Sequence, residues 1–145
     1  MTEAAKIDSR EQLERTREVF KGDLFATEAA GITIEEARPG YARCEMELKR
    51  HHRNAMGAVM GGAIFTLADL AGAVAMNCGK EQPDTVSLHA DITFLSGARG
   101  SRLIAEASCV RAGRTTSLFD IDIKDELDTK VARVSINGFT VKKDK

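Results

Sequence analysis

From Ile32 the chain alternates with a period of two. Ile32 and Ile34 fall opposite Thr33 and Glu35 in "ITIEEA", and after a Pro39-Gly40 turn Ala42, Cys44, Met46 and Leu48 share one face of "YARCEMEL". Successive side chains of a strand point to opposite faces, so the two segments predict an antiparallel hairpin. Upstream the spacing is helical. Leu13, Val19, Phe20 and Leu24 follow Ser9, and Gln12 stands three residues beyond it in the reciprocal arrangement of a capping box, so an amphipathic helix is expected to open at Ser9 and to end near Gly22 or Gly31. After the polar run "KRHHRN" a second helix is expected from near Gly61 to Asn77. Ala63, Ile64, Leu67, Leu70, Ala71, Val74 and Ala75 leave it hardly any polar face, which marks a buried helix.

Alternation then returns. "TVSLHADITF" sets Val86, Leu88, Ala90, Ile92 and Phe94 against Ser87, His89 and Asp91, and "SRLIAEASCVRA", "TTSLFDIDIK" and "KVARVSINGFTV" follow with short turns. Two strands, a buried helix and a run of strands define an α+β chain, an antiparallel sheet with helices on one face. A curved sheet wrapped around a central buried helix satisfies both patterns. The expected organisation is one domain over residues 1–145, of which 1–31 form an N-terminal helical segment, with no repeat, linker or low-complexity tract.

Composition narrows the partners. A chain of 145 residues is long enough to bury about two-thirds of the surface that its unfolded form exposes. Its 21 Lys and Arg against 22 Asp and Glu, a net charge of -1, recruit neither nucleic acid nor an anionic membrane. Cys44, Cys78 and Cys109 are odd in number and never in a C-x-x-C spacing, which fits a reduced, cytoplasmic protein and offers no zinc or redox motif. The first 20 residues carry no basic patch followed by an apolar core, so neither a secretory signal nor an anchor is expected. Ala55 to Cys78 contains a single charged residue and a Gly57-x-x-x-Gly61 spacing, but a membrane helix would place Asp69 inside the bilayer at a cost of about 2.5 to 3.5 kcal/mol.

Asp69 is the sharpest chemical signal. A carboxylate on an almost wholly apolar helix must be neutralised, hydrogen-bonded or brought against another element or subunit, and a buried acid without a cation becomes a candidate base or nucleophile. An Asp bonding nearby backbone or facing a wet crevice fits the same pattern. Gly61-Gly62 at the helix start presents free N–H groups and no Cβ, which suits either an oxyanion hole or merely a tight turn with close packing. Ser87, His89 and Asp91 cannot form a triad, because residues alternating on one strand face stand about 6.5 to 7 Å apart. Each can still act alone, or face solvent or an interface. His51 and His52 lack a further ligand cluster, so no metal site is expected. Arg111 and Arg114 flank Gly113 at a strand-to-strand turn, where arginines serve phosphate recognition or simply surface charge.

Asn54, "GAVMGGAIFTLADLAGAVA", "TVSLHADITFLSGA" and "RAGRTT", in that order, resemble the hotdog-fold acyl-CoA thioesterases of the phenylacetate-degradation type. The resemblance covers nearly the whole chain from about Ile32. It implies the hotdog fold and hydrolysis of acyl-CoA to free acid and coenzyme A, with no cofactor beyond the coenzyme A of the substrate. Residue by residue, it implies that the Gly61 backbone N–H polarises the thioester carbonyl with Asn54 assisting there or near the nucleophile. Asp69 would activate water or attack directly, and Ser87 would orient the water or the carboxylate. Arg111, Gly113 and Arg114 would meet coenzyme A. The carboxylate and the oxyanion hole would come from opposite subunits, so the working unit would be a homodimer or a dimer of dimers. One position departs from the pattern: Met60 stands where the family usually has His, which opens the alternative of a non-catalytic acyl-CoA-binding relative.

Overall fold

Six alternating segments pair into one antiparallel sheet in the computed structural model, which describes residues 3–141, with side chains from Asp8 onward. They are β1 (Ile32–Arg38), β2 (Tyr41–Glu47), β3 (Thr85–Phe94), β4 (Arg102–Ala112), β5 (Thr116–Asp125) and β6 (Lys130–Thr140). Their order across the sheet is β1-β2-β4-β5-β6-β3, every neighbouring pair antiparallel. The expected extent of 1–145 runs past this at both ends; residues 1, 2 and 142–145 lie outside the described residues.

Helix α2 (Gly61–Asn77) lies against one face of the sheet, chiefly on β2 and β4. It begins where expected because Met60 is extended and its carbonyl accepts the N–H groups of Ala63 and Ile64 at 3.0 and 3.2 Å. Ile64, Leu67, Leu70 and Val74 are buried among Ala42, Cys44, Met46, Leu103, Ala105 and Ala107 of the strands. Each buried Leu or Ile contributes about 1.5 to 3 kcal/mol. Small residues bring helix and sheet together: a Cβ on Gly72 would stand only 2.9 Å from Ile136 Cδ1.

The N-terminal helix differs from its expected start. Helix α1 spans Glu3–Phe20, so Ser9 lies inside it and not at the N-cap. The residues before Ser9 are good helix formers, and they carry the helix upstream past the capping-box sequence. Of the two expected stops, Gly22 or Gly31, the helix uses the first. A turn at Gly22 ends α1, a π-helical turn follows over Phe25–Ala29, and Gly31 closes it with φ 73°.

The two edges of the sheet are treated differently. α1 covers β1, with Arg17 Nε donating to the Ile34 carbonyl at 2.9 Å. The outer edge of β3 has no strand beside it among the described residues, and Val86 and Leu88 on that strand are 54% and 66% exposed. Behind β3, its connection to β4 is fastened by the β5–β6 turn. The fully buried Asp125 accepts the N–H groups of Arg99, Gly100, Leu127 and Thr129 at 2.8 to 3.0 Å, and Glu126 accepts that of Ser101.

A bulge on β3 overturns the expected single face for Ser87, His89 and Asp91. The register with β6 slips between Ser87 and His89, so Ser87 pairs with Gly138 and His89 with Asn137. One extra residue in a strand inverts the side-chain alternation beyond it. Ser87 therefore shares the helix-facing side with Ala90, Ile92 and Phe94, while His89 and Asp91 turn outward and face each other at 3.8 Å.

Candidate active site

α2 displays Asp69 on the part of its surface that the core leaves open, and β3 reaches it from the side. The Ser87 hydroxyl donates to Asp69 Oδ1 at 3.4 Å, a long hydrogen bond, and no cation pairs with Asp69 among the described residues. Burial of one side of the carboxylate raises its pKa above the ordinary value of 3.8; the Ser87 hydrogen bond pulls the other way, and the negative charge of Asp23 adds to the rise. A carboxylate held this way is more basic than a free aspartate and has unused lone pairs, the properties wanted of a general base or nucleophile.

Two turns before Asp69 along α2 stands Gly61. Neither its N–H nor that of Gly62 meets an acceptor among the described residues, so the helix start presents two free donors and the positive end of the helix dipole. Phe94, from the far end of β3, lies over this position. A Cβ on Gly61 would approach the Phe94 ring to 2.9 Å, so the glycine makes room for the aromatic side chain. Thus β3 serves both ends of the helix segment, with Ser87 at Asp69 and Phe94 at Gly61.

These groups cannot act together within one chain. Eight residues of α-helix separate Gly61 from Asp69 by about 12 Å along the axis. A base and an oxyanion donor each need to be about 3 Å from the reacting groups. Within one chain, therefore, the carboxylate and the free helix start cannot both reach one reacting carbon.

Other expected residues take plainer positions. The side-chain oxygen of Asn54 accepts the N–H groups of Met56 and Ala58 at 3.0 and 3.1 Å, which shapes the loop before α2 and leaves its NH2 group for another partner. Met60 is exposed and makes no side-chain capping bond at the helix start. Arg111, Gly113 and Arg114 sit exposed at the β4–β5 turn, closed by the Gly113 N–H to the Thr116 carbonyl at 2.8 Å. His51 and His52 hold backbone: His51 Nε2 lies 3.0 Å from the Ala29 carbonyl and the buried His52 bridges the Lys49 N–H and the Ala30 carbonyl. Because Lys49 donates to His52 Nδ1, the proton of the neutral ring is on Nε2 and points to Ala30. Among the described residues no group of three or more His, Cys, Asp or Glu side chains could hold a metal ion, and no helix is long and apolar enough to cross a membrane.

Phe94 and Asp23 were not legible as site residues. Phe94 reads as one more apolar position of an alternating strand, and Asp23 as part of a polar turn after Gly22. Only the packing of β3 and of the segment after α1 against α2 brings them in.

A curved antiparallel sheet around one helix is the architecture of the hotdog fold. Residues 56–132 match the model of the thioesterase superfamily, and the chain belongs to that family. It is 31% identical over 101 residues to human acyl-coenzyme A thioesterase 13, covering 69% of this chain and 72% of that protein. It is also 31% identical over 115 residues to the Escherichia coli acyl-coenzyme A thioesterase PaaI, covering 79% and 80%. The solved structure of E. coli PaaI superposes with a TM-score of 0.82 at 24% identity over 91% of this chain and 95% of that one, which establishes the shared fold. The Streptococcus mutans protein smu.793, solved with acetyl CoA bound, matches at a TM-score of 0.70 and 25% identity, covering 79% and 91%.

Proposed function

We propose that this protein is a cytoplasmic enzyme that hydrolyses acyl-CoA thioesters to the free acid and coenzyme A at sites shared between two copies of the chain. The separation of Asp69 and Gly61 on one helix, with β3 as an uncovered sheet edge beside it, carries the reading. Antiparallel pairing of β3 with the same strand of a second copy, about a two-fold axis, would extend the sheet and bury Val86 and Leu88. It would also set the Asp69 end of one α2 against the Gly61 end of the other. The thioesterase relatives and the acetyl CoA bound by smu.793 support the substrate class.

In the base mechanism Asp69 takes a proton from water as the water oxygen bonds to the thioester carbonyl carbon. The partner copy's backbone N–H at the helix start, with the free NH2 group of Asn54 nearby, receives the developing oxyanion. Collapse breaks the C–S bond, and the coenzyme A thiolate leaves with the proton. Direct attack by Asp69 uses the same groups and passes through an anhydride that water then opens. No metal or redox group is needed for either route. Ser87 orients the carboxylate, and Arg111, Gly113 and Arg114 at the β4–β5 turn offer donors to the coenzyme A phosphates.

The test is complementation. Asp69→Ala removes the base, worth about 10²- to 10⁴-fold. Gly61→Pro deletes the N–H at a first helical position whose backbone accepts proline, worth about 10²- to 10³-fold, and because its Cβ also displaces the Phe94 ring, Gly61→Ala, which adds a Cβ and keeps the N–H, is the control. Each variant alone should release little free thiol from acyl-CoA. Co-expressed, they should regain activity, since each mixed dimer holds one intact pair. Full activity in Asp69→Ala, or no rescue in verified mixed dimers, sinks the shared-site mechanism. Exposed Met60 favours a second reading, retention of acyl-CoA without cleavage; tight binding by the unaltered protein with no thiol released would select it.

A further inference from the structure

Beside Asp69 the surface folds into a hollow of about 460 Å³. One wall is the segment after α1, with Leu24, Phe25 and Ala26; the other is α2, with Phe65, Leu70 and Ala73. Leu24 and Phe25 are 57% and 72% exposed, an unusual outlay of apolar side chain on a surface unless something apolar is to cover it. The wall is not a loose flap. Its π-helical turn closes through the Ala30 N–H to the Phe25 carbonyl at 2.8 Å, and His51 and the buried His52 hold the carbonyls of Ala29 and Ala30.

The polar groups of this hollow are few and of one sign. Thr66 spends its proton on the Gly62 carbonyl at 2.8 Å. The carboxylate of Asp23, at the rim, makes no hydrogen bond or ion pair among the described residues, and no Lys, Arg or His lines the hollow. Asp69 and Asp23 therefore face the same space without a cation to offset either one. Both carboxylates keep contact with solvent, and an anionic group entering the hollow would meet two like charges with no cation between them.

Resting on the thioesterase reading, we propose that this hollow receives the acyl group and that Asp23 is a specificity-determining residue. It admits neutral apolar acyl groups and rejects those ending in a carboxylate. Selectivity of this kind comes from a repulsive element against the wrong substrate rather than from an added contact with the right one.

The experiment compares hexanoyl-CoA with adipoyl-CoA, equal in chain length and different only in the terminal carboxylate, by free-thiol release. In the unaltered protein kcat/KM should favour hexanoyl-CoA. Asp23→Asn should raise the ratio of adipoyl-CoA to hexanoyl-CoA turnover by about fivefold, and Asp23→Lys should raise it further. Phe25→Ala should weaken both substrates, chiefly in KM. An unmoved ratio in Asp23→Asn and Asp23→Lys, with hexanoyl-CoA still hydrolysed by the unaltered protein, overturns the proposal while leaving the thioesterase reading in place. An unaltered protein that hydrolyses neither substrate nor any other acyl-CoA overturns the thioesterase reading, and this proposal with it.

Discussion

Two aspartates of this chain meet opposite treatment. Asp125 is fully buried, yet it lies well below the ordinary aspartate pKa: burial alone would raise it, but the N–H groups of Arg99, Thr129 and Gly100 outweigh that effect. Asp69 is only partly sheltered, yet its pKa is raised, because burial acts against a single 3.4 Å hydroxyl bond and the charge of Asp23 pushes the same way. The supply of donors, more than depth, decides which carboxylate is inert and which is basic. Asp125 spends its charge on joining two turns; Asp69 meets only the Ser87 hydroxyl among the described residues.

The contrast is broken most severely at Asp125. Asp125→Ala takes the buried acceptor from four part-buried amide N–H groups of two turns, and with each unsatisfied group costing about 1 to 3 kcal/mol the variant should lose about 3 kcal/mol. Thermal unfolding should show a drop on the order of 10 °C. Asp69→Asn in the same assay should leave the melting temperature unchanged or higher, because it removes a charge that the fold disfavours. If Asp69→Asn destabilises as much as Asp125→Ala, the division between structural and reactive carboxylate is wrong.

pH separates the same pair with opposite signs. Asp125 has a depressed folded pKa, so its stabilisation is present above the ordinary value of 3.8 and is lost as pH falls toward the depressed one. Asp69 has a raised pKa, so its contribution is present below 3.8 and is lost as pH rises through the raised value. In the proposed reaction the working form of Asp69 is the carboxylate, so kcat/KM should climb with pH on a limb lying above 3.8. That limb should be absent from the residual rate of Asp69→Ala. An acidic limb that persists unchanged in Asp69→Ala would remove Asp69 from the reaction.

Ser87→Ala should have the smallest effect. Its long hydrogen bond is the one group that lowers the Asp69 pKa, so the variant should move the acidic limb upward by less than about one unit. Turnover should fall by less than about tenfold, with the melting temperature nearly unchanged. A shift of the limb downward would show that Ser87 is not the donor.

Much of this was legible in the chain. The limits of α2 at Gly61 and Asn77, the β1–β2 hairpin, and Asp69 as the odd carboxylate on an apolar helix follow from spacing, because helical and extended periods and glycine stops are properties of a few consecutive residues. Ser87 was singled out, but its expected company was wrong. The bulge that separates it from His89 and Asp91 arises in the pairing with β6, about 50 residues away along the chain, and alternation read along β3 alone cannot show it.

The sequence by itself determined which residues are apolar, which segments are strands, where the buried helix starts and stops, and that its one carboxylate is exceptional. The tertiary structure decided the strand order that leaves β3 at an edge, the bulge that turns Ser87 toward Asp69, the seat of Phe94 over Gly61, and the meeting of Asp23 with Asp69 across the hollow. The physical reason is range. Periodicity and backbone preference act between near neighbours, whereas register, edge position and the electrostatics of a carboxylate depend on residues that only folding brings together.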